Sequence, residues 1–283
     1  MDKKVTLPGL RDLKRAGKKL RMVTAYDFAQ AGVVDRSEAE LILVGDSLGM
    51  AVLGYADTVP VTLEEMLHHT RAVARGAART PVVADLPFLS YQVSTAEAVR
   101  NAGLLMKAGA AGVKLEGGTP FLETVARLTA VGIPVMGHLG LTPQRVHEFG
   151  GYKVQGKAAA QAEAILDDAL ALERVGIFAL VLECVPAPVA KLITEQLAVP
   201  TIGIGAGPHC DGQVLVLHDL LGLTQGMRPK FVKRYLQGAD LAAKALADYC
   251  REVAEGIFPG PEHSFTMPRE EEQLLRDVLD GRR

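Results

Sequence analysis

Short runs of aliphatic residues recur along the chain and alternate with longer segments of helical periodicity. Each run is apolar at consecutive positions and is bounded by Gly, Pro or Asp, which is typical of strands covered on both faces of a parallel sheet. Three runs begin at Pro, whose missing N–H is tolerated at the first residue of a strand. The pattern predicts strands at Leu20–Tyr26, Glu40–Asp46, Pro81–Asp85, Gly112–Glu116, Pro134–His138, Ala179–Glu183, Pro200–Ile204 and Val214–His218.

Helical segments fill the gaps between these strands. The segment that begins at Thr62 carries Glu65 three residues later, which is the spacing of a capping box. Eight alternations of strand and helix predict a closed (β/α)8 TIM barrel, with a doubly wound open sheet as the alternative. The predicted helices include Thr62–Ala78, Thr95–Ala108, Gln161–Val175 and Ala187–Leu197.

The barrel is expected to occupy residues 1–265 as one domain, including a short N-terminal helix, because α/β barrels of about 200–250 residues commonly form a single domain. Beyond the last strand, Gly238–Glu255 has the pattern of an amphipathic helix. Residues 266–283 are expected to be a charged C-terminal extension with a helix-like segment at Pro268–Arg283. We assign no chemistry to this extension.

The composition of the chain argues against nucleic acid and anionic membranes as binding partners. A formal net charge of −2 gives no electrostatic basis for binding nucleic acid or an anionic membrane, and the absence of Trp argues against a platform for stacking bases. No apolar run has the length of a membrane span, and the N-terminus lacks the apolar core of a signal peptide. We therefore expect a cytoplasmic protein. The three cysteines lie far apart, which argues against a disulfide framework or a thiolate zinc site.

Four of the apolar runs end in an acidic residue, namely Asp46, Asp85, Glu116 and Glu183. Burying an unpaired carboxylate costs several kcal/mol even after relaxation, on the order of the cost of one strong core mutation. In a (β/α)8 barrel the C-terminal ends of the strands form the active-site face, so these acids are expected at the same end. Either they point separately to solvent, or they surround a cation.

Asp46, Asp85 and Glu116 offer only oxygen ligands, which suits a hard cation such as Mg²⁺. Zinc would be expected to recruit more His or thiolate. The alternative for Asp46 and Asp85 is helix N-capping. Lys114 and Glu116 lie two residues apart and so share one face of their strand, where a simple ion pair is the alternative to a functional role.

Glu183 lies between apolar residues, and desolvation would raise its pKa toward the range that suits a general base. The alternative is a salt bridge to a neighbouring strand. His138 is a possible additional site residue, and a satisfied core histidine is the alternative. The glycine-rich segment Gly203–Gln213 is similar to an anion-binding loop but lacks the established spacings, so its glycines could equally serve tight turns.

Motifs in order through nearly all of residues 20–265 resemble the ketopantoate hydroxymethyltransferase family, formally 3-methyl-2-oxobutanoate hydroxymethyltransferase. Residues 36–40 and the tail after Phe265 depart from the family pattern without touching a motif position. The matching stretches are MVTAYD (22–27), LVGDSLGM (43–50), PVT (60–62), ADLPF (84–88), VKLEGG (113–118), GHLGLTPQ (137–144), FGGYKVQGK (149–157), LVLECVP (180–186), IGIGAG (202–207), DGQVLV (211–216) and PGPEHSF (259–265).

The resemblance implies a barrel of the phosphoenolpyruvate/pyruvate type and a metal site of Asp46, Asp85 and Glu116 that binds one Mg²⁺ per subunit. It also implies that Glu183 is the proton acceptor. The implied reaction transfers the one-carbon unit of 5,10-methylenetetrahydrofolate to 3-methyl-2-oxobutanoate, which gives 2-dehydropantoate through an enolate stabilised by Mg²⁺. This reaction is the first step of pantothenate biosynthesis.

Contacts to the 2-oxo acid are implied for Asp46, Ser47, Asp85 and Lys114. The family builds large cytoplasmic homo-oligomers, typically decamers, and the same is expected of this chain. Two alternatives stay open. An isocitrate-lyase-like enzyme would share the metal acids, but it should carry a cysteine-bearing mobile loop, and the chain has no KKCGH-like motif. A non-catalytic assembly protein would show no proton exchange with Mg²⁺ and a 2-oxo acid.

Overall fold

The computed structural model describes residues 5–224, 226 and 229–282. Eight parallel strands follow one another around a closed barrel in chain order, and the last strand pairs with the first. The predicted (β/α)8 barrel is thus confirmed, and the open sheet is excluded. The strands are β1 (Leu20–Thr24), β2 (Leu41–Val44), β3 (Val82–Asp85), β4 (Gly112–Glu116), β5 (Val135–Gly140), β6 (Ala179–Glu183), β7 (Thr201–Ile204) and β8 (Gly212–Leu215).

Helices precede the barrel and connect most of its strands. The predicted capping box is present, since the Thr62 hydroxyl accepts from the Glu65 N–H and the Glu65 carboxylate accepts from the Thr62 N–H. The helices are α1 (Gly9–Arg15), α2 (Phe28–Asp35), α3 (Leu48–Ala51), α4 (Leu63–Gly76), α5 (Thr95–Lys107), α6 (Leu122–Ala130), α7 (Val146–Phe149), α8 (Ala159–Arg174), α9 (Ala187–Gln196), α10 (Leu217–Leu220), α11 (Gly238–Ala254) and α12 (Arg269–Asp280).

The last predicted strand is wrong by two residues at its start and three at its end. The strand is Gly212–Leu215, and His218 lies in α10 instead of at a strand end. Residues 205–211 join β7 to β8 without a helix, because seven extended residues can span about 23 Å, more than the length of a four-residue strand. Gly205 and Gly207 have positive φ in this link, which supports the tight-turn interpretation of the glycine-rich segment.

The buried apolar residues form two clusters. One lies between the strands and the surrounding helices, and the other fills the barrel and its N-terminal end. Val83 and Met136 belong to the inner cluster. Asp85 and His138 follow two residues later on the same strands, and alternation in a strand places them on the same inward side. The inward positions are therefore apolar at the N-terminal end of the barrel and polar at its C-terminal end.

The predicted N-terminal helix is present as α1, and a lysine attaches it to the N-terminal end of the barrel. Lys14 Nζ donates to the carbonyls of Thr194 and Val199, each at 3.0 Å. It also forms an ion pair of 2.9 Å with Asp211, which immediately precedes β8. Since the active-site face of a barrel is at the opposite ends of the strands, these contacts serve stability.

The chain divides into two compact units, Met1–Tyr235 and Leu236–Arg283. The second unit contains α11 and α12, so the helix predicted in the charged tail is confirmed. Leu274, Leu275, Val278 and Leu279 of α12 are about half exposed. A compact unit is a geometric grouping and not an independently folding domain, so the boundary predicted after residue 265 stays a prediction. Within the described residues, none of the helices combines the length and apolarity needed to cross a bilayer.

Candidate active site

Four acidic residues meet at the C-terminal ends of the barrel strands. Asp85, Glu116 and Glu183 are the last residues of β3, β4 and β6, and Asp46 follows β2. Asp46, Asp85 and Glu116 are buried, whereas the Glu183 side chain remains 16% exposed. We call these four residues the acid cluster. They do not point separately to solvent, because shared polar partners connect them.

Asp46 and Asp85 are joined through the backbone and through a lysine. The N–H of Asp46 donates to Oδ2 of Asp85 at 3.0 Å, and Lys114 Nζ lies 2.9 Å from Oδ1 of Asp85. A Cβ at Gly45 would lie 2.8 Å from Oγ of Ser47, so a side chain at this position would displace the Ser47 hydroxyl. Helix α3, which follows, has no side-chain cap at Ser47, and the helix-capping alternative for Asp46 is not observed.

His138 connects the lysine to the other two acids. Its Nδ1 lies 3.3 Å from Lys114 Nζ and 3.5 Å from Oε1 of Glu116, and its Nε2 lies 3.3 Å from Oε2 of Glu183. The imidazole is 3% exposed and sits between Glu116 and Glu183. Glu183 therefore forms an ionic contact with His138 of the neighbouring strand β5, as in the salt-bridge alternative that the sequence left open. The surroundings of Glu183 are thus less apolar than expected.

Ser47 is held at the edge of the site by a tyrosine. The Tyr26 hydroxyl and Oγ of Ser47 are 2.9 Å apart. Tyr26 is fully buried, and its ring packs against His218 with centroids 5.4 Å apart. Burial raises the pKa of Tyr26, so its hydroxyl stays protonated near neutral pH and can take part in hydrogen bonding with Ser47 as a neutral group.

Burial and like charges disfavour ionisation of two acids of the cluster. Desolvation, followed by the charges of Asp85 and Glu116, raises the pKa of Asp46 well above its usual value. Desolvation also raises the pKa of Asp85, although Lys114 opposes this effect. Desolvation lowers the pKa of Lys114, but the surrounding carboxylates outweigh it and hold the pKa above the usual range. The site is therefore short of positive charge.

His138 and Glu116 are both stabilised in their charged forms. Desolvation and Lys114 act to lower the pKa of His138, but its ionic contacts with the carboxylates of Glu116 and Glu183 raise it to about 9. Desolvation raises the pKa of Glu116, and His138 and Lys114 reverse this so that the net shift is downward. With all four acids ionised, Lys114 and protonated His138 would leave two negative charges. A divalent cation would neutralise them.

The donor set fits a hard cation with few protein ligands. Oδ1 of Asp85 is buried and makes no hydrogen bond of good geometry to the described residues, and no hydrogen bond from them uses Oδ1 of Asp46. Among the described residues, no group of three or more His, Cys, Asp or Glu already has the arrangement of a metal cluster. Mg²⁺ commonly binds through one or two carboxylates together with waters and substrate oxygens. The carboxylates of Asp46 and Asp85 are therefore enough protein ligands for one Mg²⁺.

Residues 4–261 match the family described as ketopantoate hydroxymethyltransferase. The chain belongs to this family. A 3-methyl-2-oxobutanoate hydroxymethyltransferase of Heliobacterium modesticaldum is 59% identical over 271 residues, which cover 95% of this chain and 98% of the relative. The enzyme of the same name from Syntrophus aciditrophicus is 57% identical and covers 93% and 97% of the two chains. The resemblance predicted from the motifs is confirmed, and the lyase and assembly-protein alternatives are not supported.

Solved structures of lower identity share the fold of this family member. Phosphonopyruvate hydrolase in complex with oxalate and Mg²⁺ matches with a TM-score of 0.59 and 13% identity, over 98% of both chains. A 2,3-dimethylmalate lyase of the phosphoenolpyruvate mutase/isocitrate lyase superfamily matches with a TM-score of 0.59 and 16% identity, over 98% and 100% of the two chains. The predicted barrel type is thus confirmed at the level of fold.

Two buried residues of this transferase-family site, Tyr91 and Gln144, were not predicted from the sequence. Tyr91 lies in the loop after β3, and Gln144 lies in a 3₁₀ turn, Pro143–Arg145, after β5. Gln144 belongs to one of the matching motifs, which was the available signal. Nothing in the periodicity of the chain distinguishes either residue.

Proposed function

We propose that the chain transfers the one-carbon unit of 5,10-methylenetetrahydrofolate to carbon three of 3-methyl-2-oxobutanoate and produces 2-dehydropantoate, the first step of pantothenate biosynthesis. The observation that carries this proposal is the convergence of the acid cluster with Lys114 and His138 inside the barrel mouth. The family membership supplies the reaction class. The geometry supports a base at Glu183 and a cationic group for a carboxylate at Lys114, and with all four acids ionised it supports an excess of two negative charges.

Asp46, Asp85 and Glu116 are proposed to hold one Mg²⁺ per subunit. Bound there, Mg²⁺ would act as a Lewis acid toward the keto group of the substrate. Oδ1 of Asp46 accepts no hydrogen bond from the described residues, and buried Oδ1 of Asp85 has the Lys114 ammonium group beside it at 2.9 Å. Glu116 keeps one oxygen for the backbone N–H of Gln144, and its second oxygen faces His138.

Lys114 is proposed to hold the substrate carboxylate by charge, and Ser47 by a hydrogen bond, next to Asp46 and Asp85. The Lys114 ammonium group is suited to this because its raised pKa keeps it charged at neutral pH. Glu183 is proposed to remove the proton from carbon three. His138 Nε2, 3.3 Å from the Glu183 carboxylate, would hold that carboxylate in place. Carbon three then bonds to the one-carbon unit of the folate, and water supplies the hydroxyl group of the product. Both C–N bonds of that unit break, and the two nitrogens of the departing tetrahydrofolate take up the proton from carbon three and one proton of the water.

The experiment separates proton removal from the complete transfer. The full chain is incubated with Mg²⁺ and 3-methyl-2-oxobutanoate in D₂O, and exchange of the carbon-three proton is followed by NMR. We expect exchange in the wild type and a loss of at least about 100-fold in Glu183→Gln, in the range that general-base catalysis contributes. Glu195→Gln is the matched control, because Glu195 is exposed on α9, which follows the same strand, and it should exchange as the wild type does.

Exchange at the wild-type rate in Glu183→Gln would reject Glu183 as the base. Absence of 2-dehydropantoate when 5,10-methylenetetrahydrofolate is added to the wild type would reject the transfer itself. Calorimetric titration of Asp46→Ala and Asp85→Ala with Mg²⁺ tests the metal ligands, and unchanged affinity in both variants would count against them.

We also propose that the enzyme works in the cytoplasm as a homo-oligomer, a decamer as expected from the family. Exposed apolar side chains on α11, including Leu246 and Tyr249, support contacts between copies of the chain. Sedimentation equilibrium of the full chain measures the number of subunits.

A further inference from the structure

We infer that Gln144 is a positioning residue that fixes the carboxylates of Asp46 and Glu116 in the orientation in which they bind Mg²⁺. This inference rests on the metal site of the proposed function. Gln144 is 4% exposed, and it reaches both acids from a 3₁₀ turn that belongs to neither of their strands. No step of the proposed reaction requires Gln144 itself.

The backbone and the side chain of Gln144 contact different acids. Its backbone N–H donates to Oε2 of Glu116 at 3.0 Å. Its side-chain Nε2 donates to Oδ2 of Asp46 at 2.9 Å and to the carbonyl of Leu86 at 2.9 Å. One residue thus holds acids from the ends of β2 and β4 and also contacts the loop that follows β3.

The partners of the side-chain amide determine its orientation. A carbonyl oxygen and a carboxylate oxygen can only accept, so the end of the amide that faces Leu86 and Asp46 must be the NH₂ group. At the other end, Oε1 lies 3.0 Å from the Tyr91 hydroxyl and 3.2 Å from Nε2 of Gln92, both of which can donate. The amide is therefore satisfied at both ends, and a flipped amide would place like groups together.

These bonds select which oxygens remain for a cation. On Asp46 the bond from Gln144 uses Oδ2, which leaves Oδ1, and on Glu116 the backbone bond uses Oε2, which leaves only Oε1, the oxygen that also faces Nδ1 of His138 at 3.5 Å. A carboxylate with one oxygen anchored cannot rotate freely, so less conformational freedom is lost when the metal binds. Tyr91 extends the same arrangement, because its hydroxyl also contacts the backbone N–H and carbonyl of Glu116.

The test is calorimetric titration of the full chain with Mg²⁺ alone. Gln144→Met keeps the length of the side chain and removes its side-chain hydrogen bonds, and we expect Mg²⁺ affinity to fall by about 10–100-fold, as for other partners of metal ligands. Tyr91→Phe should give a smaller loss in the same direction, because Gln92 still donates to the amide. Gln273→Met is the matched control, since Gln273 is on α12 and bonds only to Asp277 among the described residues.

Activity provides a second readout that a merely structural role would not change. At saturating Mg²⁺, Gln144→Met should recover most of its kcat, whereas at low Mg²⁺ it should be strongly impaired. Equal Mg²⁺ affinity in Gln144→Met and the wild type overturns the positioning role and leaves the proposed function intact. Failure of the wild type to bind Mg²⁺ overturns the metal site and this inference together. If Gln144→Met does not fold, Tyr91→Phe decides: weakened binding supports the inference, and unchanged binding overturns it.

Discussion

Lys114→Met removes the ammonium group that lies among the buried carboxylates of the barrel. Lys114 Nζ is 2.9 Å from Oδ1 of Asp85, and the two side chains are 5% and 3% exposed. Methionine has nearly the same length and fills the same space, so the substitution changes charge more than packing. The carboxylate of Asp85 would be left buried without its counter-ion.

The expected loss of stability follows from this geometry. Two unit charges at 2.9 Å attract by about 6 kcal/mol at an effective dielectric near 20, and the desolvation of both groups offsets part of this attraction. Breaking a buried pair by removing one partner typically costs about 3–5 kcal/mol. We expect a loss in that range for Lys114→Met. Lys191→Met, which breaks an exposed pair of 3.8 Å with Glu195, should cost less than about 1 kcal/mol.

The measurement is the free energy of unfolding in urea for the wild type, both single variants and the double variant Lys114→Met/Asp85→Asn. Removing the unpaired charge in the double variant should recover part of the stability that the single variant loses. The role of Lys114 as counter-ion is contradicted if Lys114→Met is no less stable than Lys191→Met, or if the double variant is less stable than Lys114→Met. Either result would mean that Lys114 does not balance the buried carboxylates.

Two further substitutions test the contacts that hold the barrel. Asp35→Ala removes a carboxylate that accepts the backbone N–H groups of residues 78–80 at 2.7–3.2 Å, and it should cost about 1–3 kcal/mol in urea unfolding at neutral pH. Because the pKa of folded Asp35 is lowered, this stability should be complete above the unfolded pKa and lost as the pH falls through the folded value; a difference from the wild type that persists at low pH would contradict this. Lys14→Met removes the contacts at the N-terminal end of the barrel, including the pair with Asp211, and should cost about 1.5–3 kcal/mol with kcat unchanged. A fall in the kcat of the folded variant would show that this end of the barrel influences the active site.

Most of the barrel could be predicted because most of its strands are buried on both faces and consist mainly of apolar residues. Two strands, Gly112–Glu116 and Ala179–Glu183, agree with the prediction at both ends. The errors arise where local sequence is ambiguous. Val216 and Leu217 continue an apolar run, but the chain turns into α10 there, so the apolar run alone could not locate the end of the strand.

The site could be predicted only in part, for a reason of geometry. Asp85, Glu116 and Glu183 end strands, and the order of strands in a barrel brings their ends together. Gln144 lies in a turn outside the alternating strands and helices, and it is 98 residues away in sequence from Asp46, to which its side chain donates a hydrogen bond. Only the closed barrel brings that turn to the end of β2, so periodicity carries no information about it.

The depth of each acidic side chain within the barrel agrees with its proposed role. Glu116 is 2% exposed and Asp85 3%, whereas Glu183 is 16% exposed and therefore lies nearer the solvent. A 2-oxo acid that enters with its carboxylate and keto groups first would place these oxygens near the deep acids and Lys114. Its branched carbon would remain near Glu183, on the more exposed side of the site. The same gradient agrees with the proposed roles, because the proposed base must exchange a proton whereas the proposed metal ligands must keep their orientation.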